Sequence, residues 1–323
     1  VMLCTFGDCH LRLGISRCLL GESVRYDGGH KYDGFLVKTL GRYVEWVPVC
    51  PEVESGLPIP REAMRLVGDP EAPRLVGIRS GQDYTDGVLA FSRERAARLA
   101  EEDLHGFVFK KDSPSSGLFR VKVYDAHGAP ARTGSGIFAR EVTRRLPLLP
   151  VEEEGRLHDA PLRESFIHRV FATYRWTELV RTDPTPGGLV RFHTAHKLTL
   201  LAHSPRHYRE MGRLVAEAGT RPWSELAGAY ASALMAALRV TTTPGKHANV
   251  LRHLLGFLRR ALSPADKAEL EALIEDYRRG LVPLIVPLTL LKHHLARHTL
   301  PEWVHQQVYL APYPKELMLL NTV

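Results

Sequence analysis

Cysteine is scarce in this chain of 323 residues. Its four thiols, Cys4, Cys9, Cys18 and Cys50, are too few for the disulfide framework of a small secreted scaffold, which leaves metal binding or catalysis as their use. Long apolar runs are missing too. The longest, 281–291, is interrupted by Pro283 and Pro287 and is too short for a membrane helix, which needs roughly 20 apolar residues. The opening Val1-Met-Leu-Cys-Thr-Phe-Gly7 lacks the basic and long apolar regions of a signal peptide, so a cytoplasmic protein is expected. There is no repeat of fixed period and no low-complexity tract. Nothing points to a membrane or to a protein partner.

What is present is an ordinary globular composition with an uneven charge. Apolar residues make up 44% of the chain, enough for a sizeable core, and the length favours two domains. Residues 1–160 hold 22 Lys/Arg against 23 Asp/Glu, while residues 161–323 hold 21 against 13. The second part therefore carries +8 where the first carries −1, and it also holds 11 of the 16 histidines. An excess of that size on one part points to a polyanion, read mostly through phosphates. The alternative is a helical domain that is merely basic.

Residues 1–10 read as a leader. Leu11–Arg17 alternates as a strand ending at Cys18, and a glycine- and polar-rich loop follows. A helix fits 32–40. Val44–Val49 is a second strand, ended by Cys50-Pro-Glu52. Residues 53–82, rich in Pro and Gly, are expected to wrap the site. A helix over 84–102 has Val88, Phe91, Ala96 and Leu99 near one face. The apolar run 106–110 is a buried strand, 119–124 another, and 136–145 a helix. This alternation predicts a Rossmann-like, mostly parallel α/β domain over 11–150. Residues 151–161 read as a linker by their prolines upstream and acidic run. From 162 to 323 the apolar spacing is helical throughout: 162–180, 188–203, 206–218, 223–239, 245–261, 265–279 and 285–298. Ser263-Pro264 is a helix start, with proline at the first helical position. The second domain is all-α and basic.

In an open α/β sheet, chemistry collects where strands end. Three such ends carry Cys18, Cys50 and the loop Ser113-Pro-Ser-Ser-Gly117. Taken alone, two thiols of this kind are as readily small buried apolar residues. Against that, both end strands, both precede polar loops, and Glu52 follows Cys50 beside a proline.

Four motifs, Gly14-Ile-Ser-Arg-Cys-Leu-Leu-Gly21, Val24-Arg-Tyr-Asp-Gly-Gly29, Val49-Cys-Pro-Glu52 and Lys110-Lys-Asp-Ser-Pro-Ser-Ser-Gly117, together resemble the 2-thiouracil desulfidase family over residues 11–150. Phe166-Ile-His-Arg-Val-Phe, Phe192-His-Thr-Ala-His-Lys-Leu, Tyr277–Lys292 and Gln307-Val-Tyr-Leu-Ala-Pro-Tyr-Pro are similar to the helical domain of tRNA 4-thiouridine desulfidases. The resemblance implies a 4Fe–4S cluster held by three cysteines, with one iron open to the sulfur of a thiocarbonyl. Iron is thiophilic and a Lewis acid, so water replaces the sulfur without net redox change. The implied cluster-binding positions are Cys18, Cys50 and Ser116, with the metal-ligating thiols at Cys18 and Cys50. Glu52 is implied to activate water, and Ser113 to position the base or the water. The implied partner is tRNA carrying 4-thiouridine, with 2-thiouridine or free thiouracil as other substrates.

Ser116 stands where the family has cysteine, and a hydroxyl is a poorer iron ligand than a thiolate. Four explanations stay open: Cys4 or Cys9 supplies the third thiolate, Ser116 binds through oxygen, the serine is an engineered change, or the cluster is lost. The rival functions are accordingly a non-catalytic RNA-binding protein and an iron–sulfur sensor.

Other residues carry two readings each. Arg25, Tyr26 and Asp27 line a uracil pocket or close a turn, the turn being favoured for Asp27. Lys110 and Lys111 contact phosphate or solvate a strand end. Thr133-Gly-Ser-Gly136 resembles a weak anion-binding helix start. His193, His196, His203 and His207 suggest metal spacing, but Arg and Lys crowd the stretch and favour a basic face over zinc. The RNA footprint is expected at Lys197, Arg206, Lys246, His247, Arg252, Arg259 and Arg260. Tyr174, Trp176, Trp223 and Tyr230 read as core.

Overall fold

A computed structural model describes residues 10–321. Cys4, Cys9 and the expected leader apart from His10 lie outside the described residues. The described residues divide into two compact units, one ending at Phe166 and one running from Ile167 onward. The first is α/β with a parallel sheet, and the second is all-helical. Among the described residues no helix is long and apolar enough to cross a membrane.

The first unit is built on four parallel strands: β1 (Leu11–Ser16), β2 (Val44–Val49), β5 (Gly106–Phe109) and β8 (Val151–Glu153), in the order β2-β1-β5-β8. Leu11, Leu13 and Ile15 of β1 are fully buried, and so are Phe107, Val108 and Phe109 of β5. A strand covered on both faces reads as a continuous apolar run, as β5 does. Gly14 is required where β1 meets β5, because a Cβ there would sit 2.0 Å from the Phe107 ring. Phe107 stacks on Phe109 at 4.2 Å, and Phe138 meets both edge-on. The chain goes from β1 outward to β2 and then to β5 on the opposite side, so the strand order reverses at β1. The carboxyl ends of β1, β2 and β5 surround that reversal, the usual ligand position in such sheets.

Residues 53–82 hold regular elements that the sequence did not announce: the last two residues of α1 (Pro51–Glu54), then β3 (Met64–Val67) and β4 (Arg74–Gly77). β3 and β4 join β6 (Val121–Tyr124) and β7 (Pro130–Gly134) in a second sheet, order β4-β3-β6-β7. These strands are short, and β3 pairs with a strand more than fifty residues away, so no local period announces them. The expected linker 151–161 is overturned. Val151–Glu153 is a sheet strand, Glu152 and Glu153 are buried, and α4 (Ala160–Thr182) starts before the linker ends. The acidic run looked solvated, but its carboxylates accept internal hydrogen bonds: Glu153 from the amides of Leu118 and Phe119, Glu152 from Arg156. The helix expected over 32–40 is a single π-type turn, Phe35–Thr39, followed by a 3-10 turn, Leu40–Arg42. The other two helices of this unit, α2 (Thr85–Leu99) and α3 (Ile137–Arg145), lie where their spacing put them.

The helical unit contains α5 (Pro186–His203), α6 (Pro205–Ala216), α7 (Trp223–Arg239), α8 (Pro244–Leu258), α9 (Pro264–Arg278), α10 (Ile285–Arg297) and a short α11 (Glu302–His305). Four of them begin with a capping hydroxyl followed by proline: Thr185, Ser204, Thr243 and Ser263 each accept from an amide three residues on. The hydroxyl satisfies an orphan donor, and the proline supplies a position that needs none. Phe192, Leu226, Tyr230 and Leu234 centre one apolar cluster, and Leu254, Leu270, Ile274 and Leu291 another. Tyr230 is fully buried and stacks on Trp176 at 5.2 Å, as their helical spacing implied.

Candidate functional site

The register of β1 on β2 pairs Ser16 with Val49, which sets Cys18 and Cys50 just past neighbouring strand ends. Cys18 lies in the 3-10 turn Arg17–Leu20, which Gly21 closes in the left-handed region, φ +95. Cys50 caps α1, and its amide donates to Glu54 Oε1 at 2.7 Å. Both thiols are buried and free. Burial pushes Cys18 up to about 11, with Lys110 pulling the other way and Cys50 adding to the rise. Cys50 is raised as well, again first by burial. As thiols they are protonated at neutral pH, and a bound cation would have to displace those protons.

The loop after β5 supplies the third side. Gly117 donates to the Ser113 carbonyl at 2.7 Å, and the Ser116 amide to Ser113 Oγ at 3.1 Å, closing a tight turn. The start of α3 sits directly behind it. Gly136 donates to Gly117 O at 2.7 Å, and Phe138 donates to Ser115 O at 2.8 Å. A Cβ on Gly136 would lie 2.4 Å from the Ser115 carbonyl, so only glycine permits this approach. The amides at the start of α3 are thus spent on loop carbonyls, and the anion site expected at Thr133–Gly136 is not formed.

Cys18, Cys50, Glu52, Ser113, Ser115 and Ser116 all line one cavity of about 410 Å³. Glu52 is held at both oxygens: Oε1 accepts from Ser115 Oγ at 2.8 Å, and Oε2 pairs with Arg61. Ser115 Oγ lies 3.1 Å from Ser113 Oγ and 3.4 Å from Ser116 Oγ. The hydroxyl in contact with the carboxylate is therefore Ser115, with Ser113 one step behind. Arg61, also on the cavity wall, donates to the carbonyls of Val24 and Pro58, tying the loop after Cys18 to Glu52. Sequence reasoning missed both. Ser115 lay inside the motif beside its preferred neighbours, but Arg61 belongs to no motif and reaches Glu52 from nine residues away.

Asp27 closes a turn, accepting from Gly29 at 3.1 Å, while Arg25 and Tyr26 line the cavity. Lys110 pairs with Glu154, and Lys111 stays exposed at the cavity wall. Below the loop, Glu153 has its carboxyl raised by burial, against the pull of the two amides it accepts from.

The expected RNA footprint does not stay together as free cations. Lys197 lies over the Trp303 ring, Arg206 pairs with Glu210, and Arg252 pairs with Glu271 and Glu275. Lys246 donates to the carbonyls of His203 and Thr241. His247 is no phosphate contact at neutral pH: burial holds it down to about 4, and its Nδ1 meets Tyr309 Oη at 2.9 Å. Arg259 and Arg260 remain exposed. The histidines that suggested metal spacing point to internal partners, His193 to Tyr230, His196 to Phe192 O, His203 to Val240 O and His207 to Ser204. Among the described residues no group of three His, Cys, Asp or Glu side chains is placed to hold a metal ion.

Residues 13–154 match the 2-thiouracil desulfurase family, and residues 197–314 match a protein family of unknown function, DUF1722. "Uncharacterized protein YbgA" of Escherichia coli (strain K12) is 33% identical over 162 residues, covering 49% of this chain and 94% of its own length. A solved structure titled as a [4Fe-4S]-dependent thiouracil desulfidase is 29% identical, over 48% of this chain and 98% of its own, with a TM-score of 0.36.

Proposed function

We propose that this chain, which belongs to the 2-thiouracil desulfurase family and joins that domain to one of the DUF1722 family, hydrolyses the C=S bond of a thiolated pyrimidine, with thiolated uridine in tRNA as its substrate. The observation that carries this reading is the convergence of two thiols, a carboxylate and three serines on one cavity at the ends of three strands. The net +8 of residues 161–323 supports a phosphate-rich substrate. 4-Thiouridine is the substrate named, with 2-thiouridine and free thiouracil as alternatives.

Among the described residues, the donor set fits an iron–sulfur cluster held by Cys18, Cys50 and the oxygen of Ser116. Ser116 is buried, and among the described residues its hydroxyl has only the long 3.4 Å contact to Ser115 Oγ, so it is available as a ligand. A 4Fe–4S cluster bound there would supply an open iron, a thiophilic Lewis acid for the thiocarbonyl sulfur. The chain's own residues do the rest. Arg61 fixes one oxygen of Glu52, so the other faces Ser115. Glu52 Oε1 takes the proton of the attacking water, directly or across Ser115 Oγ, and returns it to the departing sulfur. The balance is C=S plus water giving C=O plus hydrogen sulfide, without redox change. A base in a stacked nucleotide has to leave its stack to enter such a cavity.

Ser116 also favours a second reading, a non-catalytic RNA-binding protein without a cluster. Anaerobic reconstitution of wild type, Ser116→Cys and Ser116→Ala separates the two. Iron and sulfide are expected in wild type, more firmly in Ser116→Cys and least in Ser116→Ala, with sulfide released from 4-thiouridine-containing tRNA. If neither wild type nor Ser116→Cys takes up iron while both bind RNA, the second reading stands. Iron uptake without sulfide release would instead favour a sensor.

A further inference from the structure

Three glutamates in a row, Glu152, Glu153 and Glu154, end the strand at the edge of the parallel sheet, and they reach the serine loop at three points. β8 pairs with β5 in the register Phe109↔Glu153, so its end lies beside the place where the loop leaves. Glu154 takes the first limb. It pairs with the Lys110 ammonium, and its Oε2 accepts from the Lys111 amide at 2.6 Å. Glu153 takes the last limb, its Oε1 accepting from the amides of Leu118 at 2.8 Å and Phe119 at 3.1 Å. Glu152 holds Arg156, whose guanidinium lies 4.8 Å from the centre of the Phe119 ring. Side chains alternate along a strand, so neighbouring glutamates reach the two limbs from opposite faces. Between those limbs stand Ser113, Ser115 and Ser116, the hydroxyls that meet one another, Glu52 and the cavity.

Glu153 differs from its two neighbours. It is 2% exposed, yet it enters no ion pair among the described residues. Burial first, and then the carboxylates of Glu154 and Asp112, push its pKa up, and only the two loop amides pull it down. A buried carboxylate without a cation is a poor source of stability, and an apolar side chain of similar volume is often neutral or better in such a place. What it does supply is a pair of charge-assisted hydrogen bonds aimed at one short segment. Both end on amides two and three residues past Ser116. Leu118 is half-buried and Phe119 exposed, so water within reach could satisfy these amides without Glu153. Satisfying them is therefore not what the carboxylate adds. It adds a fixed point for the loop, which solvent does not provide.

We propose that Glu153 is a positioning residue of the candidate site: by holding the last limb of the serine loop, it sets Ser115 against Glu52 and keeps the Ser116 hydroxyl at the cavity wall. Its consequence for turnover rests on the reading that this cavity hydrolyses a thiocarbonyl.

The test compares the full chain as wild type, Glu153→Met and Glu153→Gln. Methionine keeps the volume and removes the acceptor, whereas glutamine keeps a carbonyl oxygen that can take both amides. Backbone amide hydrogen exchange, read by mass spectrometry on the chain without added iron, is expected to rise about tenfold or more over residues 113–119 in Glu153→Met, the size of one or two lost hydrogen bonds. It should stay near the wild-type rate in Glu153→Gln. β1, β2 and β5 should exchange as in wild type in both variants, and the urea midpoint should move little. After anaerobic reconstitution, kcat for sulfide release from 4-thiouridine-containing tRNA should fall about tenfold or more in Glu153→Met at nearly constant KM, because misplaced groups at the reacting atoms slow the chemical step rather than binding. Unchanged exchange over 113–119 in Glu153→Met would overturn the proposal. So would a rise shared by the whole sheet, a glutamine variant as loose as the methionine one, or a loosened loop with wild-type kcat. A wild type that releases no sulfide ends the parent reading alone, and loop exchange then decides the anchor by itself.

Discussion

Acidification to about pH 5 should destabilise the helical unit far more than its ordinary composition suggests. Burial holds His196 down to about 3, and His203 and His247 to about 4, against 6.5 for a free ring. The charged groups that weigh on these rings are cations: Arg175 on His196, Lys246 and Arg169 on His203, Lys246 on His247. His168, beside His203, is lowered as well, first by burial. A ring whose folded value lies below its unfolded value stays neutral in the fold while the unfolded chain takes up a proton. The stability it contributes is complete above pH 6.5 and declines as pH falls toward the folded value. Between pH 7 and pH 5 the loss is about 2 kcal/mol per ring, or about 6 kcal/mol for these three if they titrate independently. That is comparable with the whole stability of many domains, roughly 5–15 kcal/mol. Urea unfolding of the full chain, followed by helical circular dichroism at the two pH values, reads this directly. His196→Gln should remove about one proton from the slope of stability against pH. A helical transition that moves by less than about 1 kcal/mol over this range, or an unchanged slope in His196→Gln, would refute the reasoning.

Three further outcomes are expected, two at the site and one in the helical unit. Arg61→Ala should cost about 3 kcal/mol, because it strands the Glu52 carboxylate, whose side chain is only 14% exposed, and frees the Val24 and Pro58 carbonyls. Arg61→Lys should recover part of the stability but not the two-carbonyl clamp; thermal unfolding and sulfide release measure the two separately. Gly136→Ala should cost about 1–3 kcal/mol by driving a Cβ into the Ser115 carbonyl, and iron retention after reconstitution should fall with it. In the helical unit, Arg259→Ala/Arg260→Ala should lower the salt slope of tRNA binding by about 2, whereas Lys246→Ala should lower stability instead, since its ammonium holds the carbonyls of His203 and Thr241.

What could be read in advance divides along a physical line. β5 was legible because a strand buried on both faces is apolar without interruption, as Gly106–Phe109 is, and β1 and β2 because Leu11, Leu13 and Ile15 alternate and Cys50-Pro51 ends the run Val44–Val49. α5 to α10 were legible because helices announce themselves by local spacing and by proline after a capping hydroxyl. β3, β4, β7 and β8 were not, since three to five partly polar residues carry too little period to announce a strand, and β3 and β8 are moreover held by partners far along the chain. Glu152 and Glu153 misled for a related reason: an acidic pair marks solvent unless amides and a guanidinium elsewhere in the chain come to meet it.

The same division runs through the site. Chain order alone determined that two cysteines and a serine-rich loop would stand at strand ends, because periodicity and strand-ending residues are local properties. Only the folded sheet decided that these ends share one cavity, that Ser115 rather than Ser113 touches Glu52, and that Arg61 holds the other oxygen. It also decided which basic residues are spent. Charge counts treat every cation alike, but whether Lys246 or Lys110 is available depends on the carbonyl or carboxylate that the fold brings within reach, and no spacing along the chain encodes that.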